Sequence, residues 1–172
     1  ATLFLDFNTA IPTNVEAYTV TAVNDGYVTL TQVTGVLPAK TGIIVKAAEG
    51  NYTFSYAAEA TANVEGNLLE GTVTDKDIEG EAYVLGVDEK GVVGLYKAEM
   101  AGGVWLNNAN KAYLPASVAN GAASYSFRFG EGTTGIEQIT DNREQSTVIY
   151  DLTGRRIEAI TAPGVYIVNG KK

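Results

Sequence analysis

Neither cysteine nor histidine occurs in this chain, and tryptophan and methionine occur once each. Without cysteine there is no disulfide, no thiolate metal site and no thiol nucleophile. Without histidine the usual general base, the commonest zinc ligand and the ordinary pH switch near neutrality are gone. No apolar run approaches the ~18 residues of a membrane span. Positive charge is scarce: 12 basic residues stand against 20 acidic ones, for a net charge of −8. Such a surface repels phosphate backbones and acidic headgroups, so neither nucleic acid nor a membrane surface is an expected partner.

What remains is the composition of a folded globular protein, with 45% hydrophobic and 19% charged residues over 172 positions. A chain of that size hides roughly 70% of its unfolded surface, enough for a core without staples. The charge is uneven. From Thr133 onward Arg143, Arg155, Arg156, Lys171 and Lys172 balance Glu137, Asp141, Glu144, Asp151 and Glu158. The excess of acid therefore lies before Thr133, and the shift marks a boundary. The opening run Thr2-Leu3-Phe4-Leu5-Asp6-Phe7 lacks the pattern of a secretory leader and reads as the interior of a longer protein.

Period-two alternation dominates, with turn residues between the runs. Asn24-Asp25, with Gly26 following, separates Glu16–Val23 from Gly26–Val33 and is the strongest hairpin signal. Tyr18, Val20 and Ala22 alternate with threonines, as in a half-solvated antiparallel sheet. Further strands are expected at Ile43–Ala47, Tyr52–Tyr56, Asn67–Val73, Ala82–Val87, Val92–Lys97, Lys111–Leu114 and Ser124–Phe129. Ala57–Val64 is the one helix candidate of any length. The expected fold is all-β: an antiparallel β-sandwich over residues 1–130, with an open barrel as the alternative. A glycine-rich joint at 131–135 leads to a short three-stranded β appendage over 136–172.

That appendage carries a resemblance. Val148-Ile149-Tyr150-Asp151-Leu152-Thr153-Gly154-Arg155-Arg156 and Gly164-Val165-Tyr166-Ile167-Val168-Asn169-Gly170-Lys171 resemble the C-terminal sorting domain of type IX secretion cargo from Gram-negative anaerobes. The body resembles, more weakly, the β-rich accessory segment that precedes such tails, through Leu37-Pro38-Ala39-Lys40-Thr41-Gly42 and Lys111-Ala112-Tyr113-Leu114-Pro115. The resemblance implies a piece of a secreted or outer cell-surface protein. Asp151, Gly154, Arg155, Gly164, Tyr166, Gly170 and Lys171 would form the sorting-like motif, with export or surface machinery as its partner.

Two motifs imitate ligand sites. Gly130-x-Gly132-x-x-Gly135 with Asp151 outlines a dinucleotide fingerprint, but Ile136–Ser146 makes a poor crossover helix and few residues follow it. Asp75-x-Asp77-x-Glu79-Gly80 imitates half a calcium loop, yet Gly86 stands where the closing glutamate belongs, so an acidic turn is expected. Ser117, Ser124 and Ser126 lack a histidine to activate them. No cofactor, no metal and no enzymatic activity are expected, and a monomer is. The aromatics leave one alternative, a carbohydrate-binding module. Tyr96, Trp105 and Tyr113, beside Asn107 and Asn110, combine flat apolar rings with amides that could hold sugar hydroxyls. Against it stands the ordinary role of buried tryptophan and tyrosine in a sandwich core.

Overall fold

The computed structural model describes residues 1–130 and, beyond them, the strand residues 149–150, 156–157 and 167–168. The chain divides into two compact units, Ala1–Thr134 and Gly135–Lys172.

The first unit is all β. Its strands are β1 (Thr2–Leu3), β2 (Thr9–Ala10), β3 (Glu16–Asn24), β4 (Tyr27–Val33), β5 (Val36–Leu37) and β6 (Ile43–Lys46), followed by β7 (Glu70–Thr72) and β8 (Lys76–Glu79). Then come β9 (Ala82–Val87), β10 (Val93–Lys97), β11 (Val104–Asn107), β12 (Lys111–Pro115) and β13 (Ser124–Phe129). A short 3-10 turn, Ala116–Val118, precedes β13. Nine of these strands form one sheet in the order β1-β6-β3-β4-β13-β10-β9-β12-β7. The sheet folds over on itself as a sandwich. Tyr18, Val20, Val28, Leu30 and Ile44 from its first half meet Tyr83, Leu95, Leu114 and Tyr125 from its second in one core. Each such side chain contributes about 1.5–3 kcal/mol by leaving water.

The two halves join through the one parallel pairing of the sheet, with Ser126 opposite Tyr27 and Phe129 opposite Leu30. All the other strand pairings in it are antiparallel. On the far side β1 returns towards β12: the amide of Phe4 donates to Asn110 O at 3.0 Å, and that of Ala112 to Thr2 Oγ1 at 3.3 Å. The β3–β4 hairpin turns at Asn24–Gly26, where Gly26 takes φ +74°, and β3 carries a bulge between Val20 and Ala22.

Two further layers cover the outer faces. Ala17 of β3, Val33 of β4, Leu37 of β5 and Ile43 of β6 form a second core, packed by Ile11, Phe54, Ala62 and Val64. On β9 and β12, Ala82 and Tyr113 pack with Trp105 and Ile78 from the separate two-stranded sheet of β8 and β11. The segment 57–64 is not helical. Its Thr61 and Ala62 amides both donate to Val36 O, so the backbone is satisfied by a neighbouring strand. Tyr52–Tyr56 also fails to form a strand; it pairs with β2 through an isolated Thr9–Tyr56 bridge and packs Phe54 into the second core. The acidic turn expected at Asp75–Gly80 is instead strand β8, with Ile78 opposite Trp105.

In the second unit β14 (Ile149–Tyr150) lies between β15 (Arg156–Ile157) and β16 (Ile167–Val168), antiparallel to both. Among the described residues the appendage is thus three-stranded.

Candidate functional site

Trp105 and Tyr113 do meet, but in the interior. Trp105 is 5% exposed and Tyr113 6%, and their rings cross edge to face at 5.1 Å and 85°. That geometry suits the quadrupoles of two aromatic rings, and burial leaves little of either ring open to a sugar. Asn107, 3% exposed, has turned inward as well. Its amide nitrogen donates to Thr72 Oγ1 at 2.8 Å and to Lys111 O at 3.0 Å, tying β11 to β7 and β12. Asn110 is exposed in left-handed backbone at φ +60°, where its role is to turn the chain between β11 and β12. Tyr96 stands apart from the other rings. It lies along β10 with its hydroxyl donating to Val92 O at 2.8 Å. The five residues expected to make a glycan platform are therefore not assembled into one, because three of them are spent on a satellite core.

The hydrogen bonds of the tyrosines show the same use of polar groups. Tyr113 donates to Glu70 Oε2 at 3.1 Å; burial first, and that bond second, push its hydroxyl up to about 12. Tyr83 donates to Ala122 O at 2.7 Å and is also pushed up to about 12, chiefly by burial. Tyr125 donates to Asn120 Oδ1 at 2.6 Å and accepts from the amides of Asn120 and Ala122. Together Tyr83 and Tyr125 fasten the 119–123 loop, a lock that no local sequence pattern announces. At the other end of the sandwich Tyr18 donates to Glu16, which holds that carboxyl below its ordinary range, with Lys46 at 3.3 Å adding to the effect.

One open cleft lies beside Trp105. It has a volume of about 360 Å³, at the lower end of the range for small-molecule sites. It opens where β12 changes partners: Leu114 and Pro115 pair with β9, while Lys111, Ala112 and Tyr113 pair with β7. Its polar lining side chains are Thr2, Glu99, Asn107, Asn108 and Lys111. Glu99 is the single carboxylate among its lining residues, and Asn107 is already engaged. Glycoside hydrolysis by a facing carboxylate pair needs a second acid that this cleft lacks.

The calcium-like motif includes strand β8, where Ile78 pairs with Trp105. Asp75 Oδ1 accepts from the amide of Ala109 at 2.7 Å, and among the described residues no three acidic side chains converge on a metal position. Among the described residues no helix is long and apolar enough to cross a membrane. Gly132, Gly135 and the sorting-like residues Asp151, Gly154, Arg155, Gly164, Tyr166, Gly170 and Lys171 lie outside the described residues.

The fold and the packing of these groups define an all-β sandwich module whose buried polar and aromatic side chains hold strands together. Compared with known proteins, the chain matches no family model, no curated protein and no solved structure.

Proposed function

We propose that this chain is a non-catalytic structural and interaction module of a larger secreted or cell-surface bacterial protein. The module is of spacer or adhesion type, and its C-terminal unit serves export or surface retention. The observation that carries the non-catalytic reading is the lining of the cleft beside Trp105, where Glu99 is the lone carboxylate and Asn107 is bound to Thr72 and Lys111. The resemblance of the last forty or so residues to type IX sorting domains supports the location.

The purified chain is expected to be monomeric, indifferent to chelators and inert towards ester, peptide and glycoside substrates. Turnover of any of these that co-purifies with the chain and disappears in a Glu99→Gln variant contradicts the proposal. Fusing residues 136–172 to a reporter in a host with type IX secretion tests the tail. Delivery of the reporter to the cell surface is expected, and retention inside the cell counts against that role.

A further inference from the structure

Two of the outer faces of the sandwich are covered, one by the 47–68 segment with β2 and β5, the other by the paired strands β8 and β11. Apart from Val33, which the second core covers, the outward positions of β4, β13 and β10 belong to no core cluster among the described residues. Strand alternation fixes which side chains point there. Val28, Leu30, Leu95 and Tyr125 turn into the core, so Tyr27, Thr29, Ser126, Arg128 and Tyr96 turn outward.

Their arrangement is specific. The Arg128 guanidinium sits 3.7 Å above the centre of the Tyr27 ring, which orients its plane and leaves its N–H donors outward. Arg128 makes no ion pair among the described residues, and no outward side chain of β4, β13 or β10 is a carboxylate, although the chain holds 20 acidic residues. Tyr96 is a partly exposed ring running over Gly86 and Gly94: an added Cβ would lie 3.1 Å from its Cδ2 at Gly86 and 3.4 Å from its Cε2 at Gly94. Beside Tyr27, Ser126 Oγ donates to Gly26 O at 3.1 Å and Thr29 Oγ1 accepts from Asn24 at 3.4 Å, which leaves each hydroxyl oxygen with acceptor capacity to spare. Strand spacing and rise set Tyr27 and Tyr96 roughly 12 Å apart along the diagonal, a span of more than one sugar ring.

We infer that this face binds a neutral polysaccharide lying extended across β4, β13 and β10, with Tyr96 stacking against one sugar ring and Arg128, held by Tyr27, donating to the hydroxyls of the next. The inference rests on the non-catalytic reading above and names the partner of the module. Charge selects the ligand. Arg128 disfavours a cationic chain, and the net charge of −8 disfavours an acidic one. An uncharged, hydroxyl-rich chain offers apolar C–H faces to the ring and acceptors to the guanidinium.

Native affinity electrophoresis of the whole chain tests this, in gels holding hydroxyethylcellulose, arabinoxylan or, as the acidic comparator, polygalacturonate. Retardation is expected in at least one neutral gel. Arg128→Ala and Tyr96→Ala should each weaken it roughly three- to tenfold, while Tyr96→Phe, which keeps the ring, should not. Thermal melts of all variants establish that each is folded, and Arg128, being exposed, is the variant least able to disturb the core. Three results overturn the inference: no retardation in either neutral gel, retardation that both alanine variants retain, or retardation by polygalacturonate alone. Self-association abolished by Arg128→Ala would give the face to a second copy and also overturn it. Release of reducing sugar from any gel polysaccharide would instead sink the non-catalytic reading, so the two failures are distinguishable.

Discussion

Replacing Trp105 by alanine removes the largest ring of the satellite core and uncovers Ala82 and Tyr113 beneath it. Truncations of this kind cost about 3–5 kcal/mol, and urea unfolding should show a loss of that size. A loss below about 1 kcal/mol would mean a ring that leaves little packing behind, as a surface residue does. The sequence around Trp105 misleads for a physical reason. In β11 the apolar Leu106 faces solvent while Trp105 and Asn107 face inward, so the polar residue of the pair is the buried one. Asn107 is inside because it can reach Thr72 and Lys111, partners about thirty-five positions before it and four after it. No local pattern contains the first of these. Tyr125→Phe tests the other polar lock. It strands the amides of Asn120 and Ala122, at about 1–3 kcal/mol for donors left without a partner, and hydrogen exchange should quicken in 119–123 ahead of the strands. Unchanged protection there would show that the loop is held by something else.

Among the elements, those whose burial follows their own alternation were legible. Ala82–Val87 and Ser124–Phe129 fall where period-two reading puts them, and the β3–β4 hairpin turns at its Asn-Asp-Gly. The strands that escaped are short or charged. β8 is Lys76-Asp77-Ile78-Glu79, with one apolar residue, and it exists because that isoleucine covers Trp105. The 57–64 run, rich in alanine, has helix propensity without an apolar face, and the amide acceptor at Val36 decides against a helix. Gly42 shows how tightly the elements approach. A Cβ there would stand 2.8 Å from Leu69 Cβ and 3.1 Å from Ala112 Cβ. Gly42→Ala should therefore cost about 1–3 kcal/mol through overpacking, read as a lower urea midpoint at unchanged slope. A neutral or stabilised variant would show that the β6–β7 junction has room.

At the scale of the molecule, the parallel seam between β4 and β13 was out of reach of sequence reading. It joins Tyr27 to Ser126 across a hundred positions, and alternation is the same for parallel and antiparallel partners. Near the end of the seam Tyr18 and Phe129 cross edge to face at 5.1 Å. Stability should fall in alkali. Tyr83 and Tyr113 keep their protons to about pH 12 when folded, against about 10 when unfolded. Between those values the unfolded chain has lost protons that the folded one retains, so stability is full below pH 10 and drains as pH rises towards 12. Melting temperature against pH should show that slope, and Tyr113→Phe should flatten it. An unaltered slope would remove Tyr113 from the cause.

Trp105, Tyr113 and Asn107 are spent on holding strands together, and the chain's single tryptophan reports on that directly. Emission from Trp105 in the native protein should be blue-shifted and poorly quenched by iodide or acrylamide, becoming red-shifted and fully quenchable on unfolding. Native emission already red-shifted and quenched as freely as in the unfolded chain would contradict it.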